Sequence, residues 1–215
     1  MLTACARAVV TSSGVTGSLM EPVTLPVWGS VSDVYDILFD TAYLQLAYLI
    51  AKTEPTLLPE NADISPYVFV PPNFYYTFDR HDVHTAVNKA FITLFEQNGY
   101  SVKLEQAQSY RNVAGRIDAV AENKSNICSF EFDTGTHIKK KSVEKVVNLY
   151  QDLTQHKNYY GFLCIRGSST FDKDAFTETI KRINAVKPPK EINLYVIYLS
   201  SNYITKYKRE RWLFE

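Results

Sequence analysis

The stretch that most constrains the fold is a pair of apolar runs separated by a short polar break. The runs occupy residues 115–121 and 126–133, and the break occupies residues 122–125. Two such runs around a short polar segment are typical of a β-hairpin. Asparagine tolerates left-handed backbone angles, which suits Asn123 and Asn126 to the turn. The sequence therefore predicts two adjacent antiparallel strands here.

The second run divides into two faces, because successive side chains on a strand point to opposite sides of the sheet. One face carries Ile127, Ser129, Glu131 and Asp133, and the other carries Cys128, Phe130 and Phe132. The wholly apolar set predicts the face that packs on the core. Two carboxylates then share the opposite face.

The length of the turn decides which residue faces Glu131. A loop formed by Lys124 and Ser125 places Asp118 directly opposite Glu131, with Cβ atoms about 5 Å apart. A loop longer by one residue places Asp118 opposite Phe130 instead. Two carboxylates directly opposed are destabilising unless a cation lies between them, and Mg²⁺ binds through one or two carboxylates while keeping several waters.

The rest of the chain from residue 80 alternates between helical and extended patterns. The pattern predicts helices over about 82–98, 142–156 and 172–185, and strands over 100–108, 159–165 and 192–199, the last two being of the buried kind. With the hairpin, the order is α-β-β-β-α-β-α-β. Composition is ordinary for a globular chain, with 46% hydrophobic and 21% charged residues, so we expect one α/β domain.

The residues before this region form an N-terminal extension, and we place the boundary between residues 1–78 and 79–215. Residues 1–30 are predicted to be a turn-rich arm. A helix follows to about residue 52, and its apolar residues cover so much of its surface that we expect it to pack on more than one side, against a partner subunit for example. Residues 53–78 are a proline- and aromatic-rich connector laid on the core.

The arrangement of the acids resembles a known pattern. Asp118 followed on the next strand by Glu131-Phe132-Asp133 resembles the PD-(D/E)XK nuclease superfamily, in which an aspartate precedes Glu-x-Lys. The approach Gly-x-Ile-Asp over 115–118 is similar to that of archaeal Holliday-junction resolvase-like members. The element order is also that of the superfamily, so the resemblance implies a mixed central sheet flanked by helices, with a restriction-endonuclease-like αβββαβ core. One departure is that Asp133 stands at the motif lysine.

The resemblance implies a Mg²⁺- or Mn²⁺-dependent endonuclease that hydrolyses DNA, including branched or junction DNA. Asp118 and Glu131 would hold the ion, with the backbone carbonyl of Phe132 as a further ligand. Such an ion activates a water and stabilises charge on the phosphate. Asp133 would be a third catalytic carboxylate or a ligand of a second ion. Resolvases cut two strands symmetrically, which suits a twofold homodimer.

The missing motif lysine has candidate substitutes on the helix that follows the hairpin. Lys139, Lys140 and Lys141 lead into this helix, and Lys145 follows. Lys141 and Lys145 are four residues apart and share a helix face, so either is expected to orient the water or neutralise the transition state. The three-lysine run, together with Arg116, is expected to contact nucleic-acid phosphates.

Several other polar residues are weaker candidates. Glu96 on the first core helix resembles an acid that reaches the metal through water in many relatives, and Glu105 on the first strand has similar support. His81, His84 and His137 show no spacing typical of metal ligands.

Composition and cysteine spacing limit where in the cell the protein is expected. The sequence has no run of about 18 apolar residues, which a membrane-spanning helix needs, and we expect no signal peptide. Its three cysteines form no CxxC pair, which favours a reducing, cytoplasmic compartment. The 15 tyrosines and the divergent motif suggest a viral or mobile-element origin, with a host cell as the location.

Other interpretations stay open. An aspartate and a glutamate occur by chance on solvated hairpins, and a lysine run is usually a solvated helix start. The aspartate at position 133 and the net charge of +0 favour a catalytically decayed nuclease-fold protein that acts in nucleic-acid or protein binding. A different α/β enzyme ranks last, because the sequence has no GxGxxG, GxxxxGK[ST] or GxSxG motif.

Overall fold

The computed structural model describes residues 31–61, 70–71, 73–108, 115–152, 157–168 and 172–207. The helices in this part are α1 Val31–Thr53, α2 Arg80–Gln97, α3 Lys140–Asp152 and α4 Lys173–Val186, and the strands are β1 Ser101–Gln108, β2 Gly115–Glu122, β3 Asn126–Asp133, β4 Asn158–Ile165, β5 Asn193–Tyr198 and β6 Tyr203–Lys206. The predicted order from α2 to β5 is confirmed. The arm 1–30 and the basic tail beyond Tyr207 lie outside the described residues.

The strands form one sheet in the order β1-β2-β3-β4-β5-β6. β3, β4 and β5 are parallel, whereas β1, β2 and β6 are antiparallel to their neighbours. The parallel strands are joined through α3 and α4, which pack on one face of the sheet, and α1 and α2 pack on the other. The prediction of an α/β fold with a mixed sheet flanked by helices is confirmed.

The structure adds one strand that the sequence pattern did not predict. β6 adds an antiparallel edge strand in which Ile204 pairs with Ile197 and Thr205 pairs with Val196. Only four residues long and without a continuous apolar run, β6 has too weak a periodic signal to be recognised in the sequence. Its partner β5 supplies the register.

Aromatic rings fill the core between the sheet and α2. The ring of Phe91 stacks on that of Phe130 with centroids 4.3 Å apart, and Phe162 stacks on Tyr195 at 5.4 Å. Cys128 and Phe130 are fully buried and Phe132 is 4% exposed. The predicted core face of the hairpin is therefore confirmed.

The opposite face of β3 is buried as well, because α3 and α4 cover it. Val143 and Val146 of α3 pack with Leu163 in this second core. The approach of α3 to β4 is close: a Cβ added at Gly161 would lie 2.5 Å from Cγ1 of Val146. Only glycine admits the helix at this distance, so the two carboxylates of β3 lie beneath a helix and not on a solvated face.

The N-terminal helix α1 shares the first core with α2 and the sheet. Its Gln45 is fully buried, accepts a hydrogen bond from the hydroxyl of Tyr75 at 2.6 Å and donates to the carbonyl of Leu199. The apolar surface that suggested a partner subunit is thus largely covered by the same chain. Neither α1, of 23 residues, nor any other described helix has both the length and the apolar character needed to cross a membrane.

Short side chains define the helix ends. Asp79, rather than the expected Asp82, caps α2 by accepting the N–H of His81 at 2.7 Å. Gly99 follows the helix with a φ of 79°, a left-handed conformation that favours glycine. Asp172 caps α4 through the N–H groups of residues 174 and 175.

The turn of the hairpin has the length expected for a Lys124-Ser125 loop. The N–H of Asn123 donates to the carbonyl of Asn126 at 3.0 Å, and Glu122 pairs with Ile127 in the ladder. The predicted role of the asparagines is wrong, because neither has a positive φ. Asn123 acts through its side chain, whose Oδ1 accepts the N–H of Ser125 at 2.9 Å and that of Asn126 at 2.8 Å.

The two described cysteines are free and buried, as expected for small hydrophobic residues. Burial raises the pKa of the Cys128 thiol and that of Cys164 well above their ordinary values. Both thiols are therefore unreactive, since the thiolate is the nucleophilic form.

Candidate active site

The acidic residues meet where β2 and β3 separate at the open end of the hairpin. The ladder between these strands ends at the pair Ala119–Phe130. Beyond it, the N–H of Asp118 donates to Oε1 of Glu131 at 3.2 Å, and the N–H of Phe132 donates to Oδ2 of Asp118 at 2.9 Å. Two carboxylates thus accept backbone hydrogen bonds across the gap between the strands. The structure brings Asp118 and Glu131 together as the sequence predicted.

Lys145 reaches this pair from α3. Its Nζ donates to Oε1 and Oε2 of Glu131 at 2.9 and 2.8 Å. The side chains are 16% and 3% exposed, respectively, so the ion pair is largely removed from solvent. Lys145 occupies this place because its neighbour Val146 packs over Gly161, which fixes α3 above the strand. The predicted substitute for the motif lysine lies against the glutamate.

The environment of Glu131 opposes its ionisation. Burial, followed by repulsion from Asp118, raises the pKa of Glu131 from 4.5 to about 8, and the hydrogen bond and charge of Lys145 offset only part of this rise. Asp133 adds a smaller repulsion. The pKa is raised in this way mainly because a buried carboxyl is costly to charge, and secondly because a neighbouring acid repels the charge.

His84 of α2 completes the cluster on the other side of the sheet. Its Nε2 lies 3.5 Å from Oδ2 of Asp118, and its ring lies over that of Phe132 with centroids 5.7 Å apart. Nδ2 of Asn88 lies 3.2 Å from Nδ1 of the same ring. In the tautomer in which Nδ1 accepts from the Asn88 amide, Nε2 carries the hydrogen and directs it at Asp118.

The sequence pattern favoured Glu96 on this helix, and the spacing of His84 indicated no metal ligand. Glu96 is exposed near the far end of α2, and the side chain of Glu105 lies outside the described residues. The sequence pattern that could have identified His84 is its spacing of four residues from Asn88, which places both on one helix face. It does not indicate which strand the pair would meet.

Asp133 is held by the segment that begins α3. Its Oδ2 accepts the N–H of Lys139 at 2.8 Å, and Nζ of Lys139 lies 3.0 Å from Oδ1. The side chain of Asp133 is only 3% exposed. Both oxygens are thus bonded to Lys139, which gives this carboxylate a structural function in positioning α3.

The other predicted basic residues differ in their surroundings. Nζ of Lys140 lies 3.4 Å from Oε1 of Glu144, one turn along α3. Lys141 is exposed on the same helix, and Arg116 is exposed two residues before Asp118. Lys145, rather than Lys141, is therefore the lysine that reaches the acids.

The donor set suits a hard divalent cation. Such an ion is bound by one or two carboxylates and keeps several waters, and Asp118 and Glu131 supply two carboxylates that repel each other. The N–H of Phe132 faces Asp118, and the N–H and C=O of one strand residue point to the same side, so its carbonyl faces the gap too. In the described part of the chain, no group of three or more His, Cys, Asp and Glu side chains is arranged to hold an ion.

Comparison of the chain with protein-family models, with curated proteins and with solved structures gave no match.

Proposed function

We propose that this chain is a metal-dependent endonuclease that hydrolyses DNA phosphodiester bonds, with branched or junction DNA as the expected substrate. The observation that supports it most is the buried cluster in which Lys145 contacts both oxygens of Glu131 and Glu131 contacts the backbone of Asp118. Two acids with one lysine are the set that the PD-(D/E)XK resemblance requires. Here the lysine comes from α3 instead of position 133.

Each residue has a function in this proposal. Asp118 and Glu131, with the carbonyl of Phe132, would hold Mg²⁺ or Mn²⁺, which activates a water and stabilises charge on the phosphate when bound. Lys145 holds a positive charge at the edge of Glu131, where the charge of a phosphate would develop. His84 lies 3.5 Å from Asp118 on the other side and would orient that carboxylate.

The substrate and the assembly are parts of the same proposal. Arg116 and the run Lys139, Lys140 and Lys141 lie on the segments that border the acids, where they would contact backbone phosphates. Symmetric cutting of a junction needs two active sites related by a twofold axis, so the active form would be a homodimer. Sedimentation analysis of the protein with and without junction DNA tests this part.

The test is cleavage of branched, duplex and single-stranded DNA with Mg²⁺ or Mn²⁺ by the wild-type chain, by Glu131→Gln and by Glu122→Gln. Glu122 lies at the other end of the same hairpin, so its change is a matched control. We expect Glu131→Gln to slow cleavage at least about 100-fold. Replacing a residue that only hydrogen-bonds to a metal ligand already lowers metal affinity or activity 10–100-fold. Glu122→Gln should leave the rate unchanged, and circular dichroism should confirm that both variants fold.

A catalytically decayed scaffold is the second candidate, and one observation favours it. Lys145 occupies both oxygens of Glu131, which leaves the pair neutralised without an ion. Titration calorimetry with Mn²⁺ separates the two candidates. Binding that is lost in Asp118→Asn supports the nuclease, whereas no Mn²⁺ binding and no cleavage by the wild-type chain would leave a binding protein.

A further inference from the structure

Arg166 lies just past the end of β4 and is buried. The preceding residue, Ile165, pairs with Asp133 of β3, and Arg166 itself is only 5% exposed. Its guanidinium carbon lies 3.9 Å from the centre of the Tyr76 ring. The hydroxyl of Tyr76 donates to the carbonyl of Gly167, so the ring that supports the guanidinium is itself fixed by the next residue of the chain.

The charge of Arg166 has no counter-ion in the described part of the chain. The ion pairs found there involve other cations, and Nε of Arg166 has no hydrogen-bond partner. A buried charge without a partner is costly, and a cation–π contact offsets only part of that cost. Because the guanidinium fork matches phosphate and carboxylate geometry, an anion is the partner it lacks.

Ser200 presents a second unpaired donor beside it. The N–H of Ser200 donates to the carbonyl of Arg166 at 2.9 Å, which joins the two residues across the ends of β4 and β5. Ser200 is also 5% exposed, and its Oγ has no hydrogen-bond partner among the described residues. Buried donors are nearly always paired, so two unpaired donors on residues joined by a backbone hydrogen bond point to acceptors that the described residues do not supply.

The two donors lie at the same end of the sheet as the acids. Leu163 pairs with Glu131, and Arg166 follows three residues later on the neighbouring strand. From strand geometry, the backbone positions of Arg166 and Glu131 are about 11 Å apart. This is the carboxyl edge of parallel strands, where ligands bind in open α/β sheets. An anion there is too far away to be the one that contacts the carboxylates.

We propose that Arg166 and Ser200 bind a phosphate of the nucleic-acid substrate other than the scissile one and thereby set its register over the acids. The choice of nucleic acid rests on the proposed function, whereas the choice of an anion rests on the two unpaired donors. Tyr76 holds the guanidinium plane in place. Arg166 is therefore a positioning residue and takes no part in the chemical step.

The experiment is binding of a short 3′-labelled DNA strand, and of its duplex, measured by fluorescence anisotropy in EDTA over a range of salt concentrations. We expect Arg166→Gln to weaken binding about tenfold and to reduce the salt slope by about one. Ser200→Ala should weaken it less. Lys190→Gln is the matched control, because it removes one exposed positive charge before β5, at the opposite edge of the sheet.

Thermal unfolding of Arg166→Met distinguishes binding from a structural function. If the arginine is kept for an anion, its removal leaves the Tm unchanged or raises it in a buffer without phosphate or other polyvalent anions, since an uncompensated buried charge is lost. A lowered Tm together with unchanged DNA affinity would assign Arg166 to the fold alone and overturn the proposal.

Two further arms identify the source of the phosphate. Equal loss of affinity for strands with and without a 5′-phosphate assigns the site to the internal backbone, and loss for the phosphorylated strand alone assigns it to a strand end. Wild-type affinity and salt slope in Arg166→Gln, or no DNA binding by the wild-type chain, would refute the site. Because EDTA prevents cleavage, the outcome is independent of whether the chain is a nuclease.

Discussion

The two ends of the β2–β3 hairpin carry the same pair of residue types in opposite environments. At the turn, Lys157 lies 2.6 Å from Glu122, and the side chains are 31% and 42% exposed. At the open end, Lys145 lies 2.8 Å from Glu131, and the side chains are 16% and 3% exposed. The geometry of the two ion pairs is nearly the same, so the difference in their chemistry comes from burial and from neighbouring charge.

The surroundings explain why one pair is a candidate site and the other is a surface contact. Lys157 also donates to the carbonyl of Asn123 at 2.8 Å, which ties the pair to a solvated turn. Glu131 lies beneath α3 with the carboxylate of Asp118 beside it, and its pKa is raised to about 8. The pKa of Glu131 is thus raised because a helix excludes water from its carboxyl and a second acid adds charge.

Lys145→Met gives the largest expected difference in stability between the two ends. Removing one partner of a buried ion pair leaves the other charge uncompensated, so we expect the free energy of unfolding to fall by about 3 kcal/mol above pH 8. The loss should be smaller at pH 6, where Glu131 already carries a proton in the folded wild-type chain. Urea unfolding at both pH values measures it, and an equal loss at both would contradict the assignment of the pKa.

Glu131 should also make the wild-type stability depend on pH. The folded chain keeps a proton on Glu131 up to about pH 8, whereas the unfolded chain releases it near 4.5. Folding is therefore favoured at low pH, and this contribution is lost as the pH rises through that window, by up to about 1.4 kcal/mol per pH unit.

The measurement is urea unfolding in EDTA from pH 5 to 8 for the wild-type chain and for Glu131→Gln. The variant has no ionisable group at this position, so its stability should fall less steeply with pH. Glu122→Gln should keep the wild-type slope. Identical slopes in the wild-type chain and in Glu131→Gln would show that Glu131 titrates normally.

Lys157→Met gives the smallest expected effect. An exposed ion pair contributes little because water and salt screen it, so we expect a loss of about 0.5 kcal/mol that disappears at high ionic strength. Urea unfolding at low and high salt measures this. A salt-independent loss as large as that of Lys145→Met would remove the distinction between the two ends.

The hairpin and its acids were predictable because the signals for them are local. Alternation over β3 identifies Phe130 as core and Glu131 as facing away from it, and the turn length then sets the register that brings Asp118 close. Lys145 was predictable as one of two lysines on a helix face. Choosing it over Lys141 required the actual position of α3 on the sheet.

The remaining parts depend on contacts between segments that are distant in the sequence. His84 meets Asp118 only because α2 crosses the sheet at that strand, and no local pattern encodes the crossing. The pairing of Asp133 with Lys139 depends on the path of the loop before α3. Arg166 follows an apolar strand in the sequence, and only the packed structure identifies it as a buried cation beside Tyr76.

The glycine beneath α3 gives the site a mechanical sensitivity at a distance. At Gly161 a single methyl group would meet Val146, whose branched side chain has few alternative rotamers, so the helix itself would have to rise. Lys145 directly precedes Val146 on α3, so its ammonium would move away from Glu131 when the helix rises. The distance between the charges of Lys145 and Glu131 therefore depends on Gly161, which has no side chain and contacts neither of them.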